Sequence, residues 1–141
     1  MSGNNSRKGY AFNRTRQAFL ATELSVADTH WSRLRGLMGS NPTAFRFGHG
    51  LWIVPSHGVH TLAMRYPIDV IYLNQEKTVV HVEENLKPWR IAPVKMDAVT
   101  VLELPCHTVW NTGTLVGDQI EIAFGVQKGV QKGAQKKVEA V

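Results

Sequence analysis

From residue 51 to residue 124 the chain is a succession of short β-branched runs, spaced too closely to leave room for helical crossovers. The runs are LWIVP (51–55), VHTLAM (59–64), IDVIYL (68–73), TVVHVEENL (78–86), AVTVLEL (98–104) and DQIEIAF (118–124). Proline, glycine or asparagine bounds most of them, which is how strands are punctuated. Parallel neighbours need a connection of a dozen residues or more, whereas antiparallel neighbours need only a turn. The spacing therefore predicts a mostly antiparallel, barrel-like α+β domain with one or two short helices. The last run is the clearest, with Ile120, Ile122 and Phe124 facing one way and Gln119 and Glu121 the other.

Upstream of these runs, residues 16–26 (RQAFLATELSV) read as a strand pair or one bent strand. Asp28 can cap a short helix through residues 29–38 (THWSRLRGLM), where Trp31, Leu34 and Met38 recur at spacings of three and four. A second, weaker helix signal follows Pro105, within CHTVWNTG.

At 141 residues the chain has enough material for one domain with a real core. The expected layout is a disordered N-terminus over 1–9, a globular domain over 10–124 and a low-complexity basic tail over 125–141. The tail, GVQKGVQKGAQKKVEAV, repeats every four residues, and its glycines weaken any helix it forms alone. A single cysteine, Cys106, excludes an internal disulfide framework and fits a reducing compartment. No apolar run follows the basic N-terminal residues, and none reaches the length of a membrane span. The expectation is a cytoplasmic protein without a membrane span.

The formal charge of +5 is not spread over the domain. Residues 10–124 hold ten Lys or Arg and ten Asp or Glu, so the excess lies in the two ends. Nucleic-acid binders concentrate positive charge on a folded face. No specific nucleic-acid partner is expected.

The chemistry-bearing residues gather in HGVHTLAMRYPIDV, residues 57–70. His57 and His60 have a spacing seen in metal sites, with His49 upstream and His107 downstream, and Met64 can serve soft copper. Zinc needs three or four convergent ligands, and strand geometry sends residues three apart to opposite faces. Asp69 interrupts a strand that is otherwise apolar on both faces, and Glu103 ends the face formed by Val99 and Val101. Buried carboxylates are costly unless paired or hydrogen-bonded, so Arg65, Arg33, His60 or loop amides are expected to satisfy them. Cys106 beside His107 has the composition of a nucleophile pair, but sequence neighbours seldom face each other. No phosphate-binding glycine loop, GxSxG elbow or HExxH motif is present.

Taken together, RLRGLMG (33–39), GLWIVP (50–55), VHTLAMRYPIDVIYL (59–73), VLELP (101–105) and GTLVGDQIEI (113–122) occur in an order similar to that of the prokaryotic domain-of-unknown-function family 192. The run bearing His60, Thr61, Met64, Pro67 and Asp69 is its specific element. The resemblance spans roughly residues 10–124 and implies a compact, mainly β domain, with no established activity to carry over. Many members of that family carry a cysteine where this chain has Ser56, and they usually have a small residue then glycine where it has Cys106 and His107.

The function expected from these readings is a small non-enzymatic binding or accessory domain. Its polar pocket would involve His60, Thr61, Met64, Arg65, Asp69, Glu103 and Arg33 in the 33–39 turn. The partner would be a small ligand or a protein, with no cofactor. The alternative is a small metal protein or enzyme using His57, His60, Met64 and Asp69.

Overall fold

The computed structural model describes residues 8–29, 37, 40–41 and 43–125. The helix expected through residues 29–38, with Arg33, and the tail beyond Gly125 fall outside the described residues, apart from Thr29 and Leu37. Seven strands and one short helix follow in chain order. They are β1 (Gly9–Asn13), β2 (Ala18–Ala27), β3 (His49–Ile53), β4 (Ile68–Leu73), β5 (Val79–Leu86), β6 (Thr100–Pro105), α1 (Thr108–Thr112) and β7 (Ile120–Phe124). The strands form one sheet in the order β5-β4-β6-β3-β2-β1-β7.

The sheet curls until its outermost strands meet at one end. Val79 N–H donates to Asp118 O, Gly117 N–H to Val79 O and Ile120 N–H to Lys77 O, at 2.8–2.9 Å. Thr78 and Gln119 form an antiparallel bridge there. The result is a barrel-like α+β domain dominated by strands. Every strand pair is antiparallel except β2 with β3, which run parallel from Glu23↔His49 to Ala27↔Ile53. The segment between residues 27 and 49 is long enough to return the chain for that pairing. Tight spacing argues against parallel strands only from residue 51 onward, and the parallel pair begins upstream of it.

Residues 16–26 resolve into β2 alone, and β1 is its partner, with register shifts at Ala11. VHTLAM does not form a strand; only His60 makes a bridge, to Ile91. The chain there turns instead, with Met64 N–H donating to Thr61 O at 3.1 Å.

β4 and β6 are buried along their whole length on both faces. This explains why their sequences are nearly continuous apolar runs rather than alternating ones. Ile71 and Leu73 of β4 join Leu20, Leu24, Leu102 and Ile120 inside the curl. Gly50 keeps β3 close-packed on this inner side, because an added Cβ would lie 3.0 Å from both Ala21 Cβ and Leu104 Cδ2. The alternate residues Ile68, Val70 and Tyr72 pack outward in a second cluster with Met64, Ala92 and Val101. That outer cluster exists because two loops, over residues 54–67 and 87–99, lie across the strands.

One polar network pins the end of the curl. Asn13 Nδ2 donates to Thr114 Oγ1 at 3.0 Å and to Asp118 Oδ2 at 2.9 Å. Arg16 Nε and Leu115 N–H donate to the same carboxylate oxygen at 2.9 and 3.0 Å. Burial pushes the Asp118 carboxyl up, but the bonds from Arg16, Asn13 and Leu115 prevail and hold it below its ordinary value.

Candidate functional site

The two loops over the outer face clasp each other as a short antiparallel ribbon. Thr61 N–H donates to Arg90 O at 2.8 Å, Trp89 N–H to Thr61 O at 2.9 Å, Ala92 N–H to Val59 O at 2.9 Å and Lys95 N–H to His57 O at 2.8 Å. Thr61, fully buried, is the clasp. Its hydroxyl donates to Lys87 O at 2.6 Å and accepts from Arg90 N–H at 2.9 Å. Tyr72 reaches up from β4 and donates to Pro93 O at 2.8 Å, and burial chiefly, with Glu83, pushes its phenol up to about 12.

The ribbon has two unlike sides. Val59 and Ala92 face the outer cluster. The other side carries large apolar groups that touch little: Trp89 is 64% exposed, Ile91 75%, Val94 65% and Met96 74%, with Leu62 beside them. Arg65, Lys87 and Arg90 are exposed and Lys95 half-buried around them. None of the four makes a salt bridge among the described residues.

Beneath the same outer face lies Glu103. Its register places it between Leu51 of β3 and Val70 of β4, and only 2% of it is exposed. Its Oε2 has no hydrogen-bond partner among the described residues. Burial pushes the carboxyl up to about 8, so it is mostly protonated at neutral pH. Tyr66 lies near enough to feel it. Burial first, then the Glu103 charge, raises the Tyr66 phenol, opposed by its 2.5 Å bond with Ser40 Oγ.

The residues singled out from the sequence are thus divided between two faces of the sheet. His60, Thr61, Met64 and Arg65 belong to the ribbon and its turn, and Glu103 lies under the outer face. Asp69 projects to the inner side, where Asn85 N–H and Val109 N–H each donate to one of its oxygens at 2.9 Å. It ties the end of β5 to the first turn of α1, and shares no hydrogen-bond partner with His60. Arg33 lies outside the described residues.

The histidines of the metal alternative are directed elsewhere. His57 Nδ1 donates to Ala98 O at 2.6 Å. His60 Nδ1 accepts from Leu62 N–H at 3.3 Å, so a neutral ring carries its proton on Nε2. Met64 is buried among apolar side chains. Among the described residues no three His, Cys, Asp or Glu side chains converge as a metal-holding group. Cys106 Sγ donates to Asn85 Oδ1 at 3.3 Å, and burial and Asp69 push its thiol up, the opposite of activation.

Of the three positions that depart from the family pattern, Ser56 and His107 each take part in a local turn. Ser56 Oγ donates to Gly58 O at 2.6 Å. His107 adopts the left-handed conformation, φ 76°, in the turn that leads into α1. A conformation that glycine adopts readily is thus held here by a histidine.

The sequence reading missed residues 87–97, taking them as connection between strands. The signal was present in KPWRIAPVKMD, where basic and large apolar residues mix around two prolines without a sustained strand or helix period.

A curled, mostly antiparallel sheet carrying a two-loop ribbon over a buried acid defines a class of small β domain. The chain belongs to DUF192, the family described as Uncharacterized ACR, whose model matches residues 11–122. It is similar to a UPF0127 protein of Pyrococcus abyssi, 34% identical over 119 residues covering 80% of this chain and 97% of the relative. A UPF0127 protein of Pyrococcus furiosus is 33% identical over 114 residues, covering 77% and 94%. Among solved structures, a protein of unknown function from Novosphingobium aromaticivorans superposes with a TM-score of 0.69 at 18% identity, covering 81% of this chain and 83% of its own. That likeness speaks for the fold alone. Among the described residues no helix is long and apolar enough to cross a membrane.

Proposed function

We propose that this is a non-enzymatic binding or accessory domain, with residues 10–124 as the folded body, whose working face is the outer side of the ribbon. His60, Arg65 and Leu62 from one loop, and Trp89, Ile91 and Met96 from the other, form that face. Thr61, Met64 and Glu103 lie beneath as its support, and Asp69 acts from the inner side by fixing the loops around α1. One observation carries this reading. Four large apolar side chains crowd eight positions of one loop, stay mostly exposed, and are held in place by backbone bonds to a second loop. Contiguous exposed apolar groups of that kind mark contact surfaces. The alternative metal or enzyme reading has less support, because among the described residues no three His, Cys, Asp or Glu side chains converge, and both Asp69 oxygens already accept backbone amides.

The test separates contact from folding. In the full chain, Trp89→Ser combined with Ile91→Ser should leave the thermal midpoint within about 2 °C, as exposed substitutions change stability little. The same variant should lose the retention on a phenyl-substituted column that the unaltered protein shows. A fall of many degrees, or retention that does not change, would show that these side chains serve the core and not a contact.

A further inference from the structure

We propose that the ribbon face seats on an anionic lipid surface, with Trp89, Ile91 and Met96 entering the headgroup boundary and Arg65, Lys87, Arg90 and Lys95 pairing with phosphates. This rests on the contact-face reading above and names the partner. The face combines the two attractions that peripheral membrane binding needs: apolar area to bury, and positive charge beside it. Over residues 87–97 three basic side chains stand against one acid, Asp97, although the body as a whole is balanced. The positive charges are unspent, since none of the four makes a salt bridge among the described residues.

Trp89 adds a separate reason. It stands at φ 61°, where a turn favours glycine or asparagine, and its ring is exposed. Neither the turn nor the core asks for a tryptophan there, whereas a lipid boundary favours one. The backbone also suits shallow insertion. Unpaired amides are costly near acyl chains. Here the N–H groups of Trp89, Ala92 and Lys95 already donate to Thr61, Val59 and His57. Long basic side chains can lay their stems along the apolar patch and keep their charges in the headgroups.

The test is cosedimentation of the full chain with vesicles of phosphatidylcholine plus phosphatidylglycerol and with vesicles of phosphatidylcholine alone. Binding should be confined to the anionic vesicles, each basic residue at the surface multiplying partitioning roughly fivefold. The Trp89→Ser, Ile91→Ser variant should bind at least about tenfold more weakly. It keeps both basic ends of the chain, so its loss belongs to the loop. Trp89→Phe should restore binding, and brominated acyl chains should quench the unaltered protein's emission more than that of the Phe variant. Failure of the unaltered protein to bind, or equal binding by the double variant, would overturn the lipid assignment. If vesicles fail while phenyl retention still depends on the two residues, the contact face stands and a protein bearing acidic and apolar groups takes the place of lipid.

Discussion

Replacing Glu103 with glutamine should remove a pH dependence that the fold otherwise carries. The carboxyl is buried between Leu51 and Val70, its Oε2 lacks a partner among the described residues, and burial raises it to about 8 from an unfolded value near 4.5. Between these values the native chain holds a proton that the unfolded chain has released. Stability is therefore at its full value below about pH 4.5, falls as pH rises toward 8, and levels off above it. At about 1.4 kcal/mol per pH unit the whole effect is on the order of 5 kcal/mol, and water entry and relaxation at high pH reduce it to about 2–5. Glutamine is nearly isosteric with the protonated acid, so at pH 5 the two proteins should agree within about 1 kcal/mol. At pH 8.5 the glutamine variant should be the more stable by several kcal/mol. Urea unfolding followed by tryptophan emission from pH 5 to 9 gives the difference directly. The six histidines are common to both proteins and cancel. Asp118, whose carboxyl is held low, loses its contribution only below this range. Parallel stability curves for the two proteins would refute the assignment of Glu103 as a buried, protonated acid.

Asp69→Asn should cost about 1–3 kcal/mol in urea unfolding, because the amides of Asn85 and Val109 each lose a bond to a charged acceptor. His60→Ala should be additive with it within about 0.5 kcal/mol, since their partners are separate; a larger coupling would mean that they share a network. His107→Gly should raise stability by about 1 kcal/mol by relieving the φ of 76°, and a loss would show that the imidazole makes a compensating contact. Cutting the chain after Gly125 should shift the thermal midpoint little, because spaced valines between glycines offer little to bury; a drop of many degrees would show that the tail packs on the body.

Strands were legible where alternation or continuous apolarity left one solution. IDVIYL became β4 residue for residue, and DQIEIAF contains β7. VHTLAM has the composition of a strand, but Thr61 bonds to Lys87 and Arg90 and Met64 folds under to complete the outer cluster, so tertiary contacts outweighed propensity. The carboxylates were visible as anomalies, since each breaks an apolar pattern. Loop amides were among the partners expected for Asp69, but not which ones, because Asn85 and Val109 contribute backbone N–H groups that every residue type but proline supplies. The exposed side of the ribbon was hidden for a different reason. Its apolar residues follow neither a period of two nor one of 3.6, and exposure depends on which loops pack against which.

The placement of β1 between β2 and β7 has a consequence for synthesis and engineering. Gly9 pairs with Phe124, and Gly125 N–H donates to Lys8 O at 3.3 Å, so the first and last described strands bring residues 8 and 125 together. During vectorial synthesis β1 waits with one edge open until the last strand arrives, and the curl closes late, through contacts far apart in sequence. Because the two ends lie side by side, a short linker can join them and the chain can be reopened in a surface turn without disturbing a strand. A linker from residue 125 back to residue 8 has only that short gap to span.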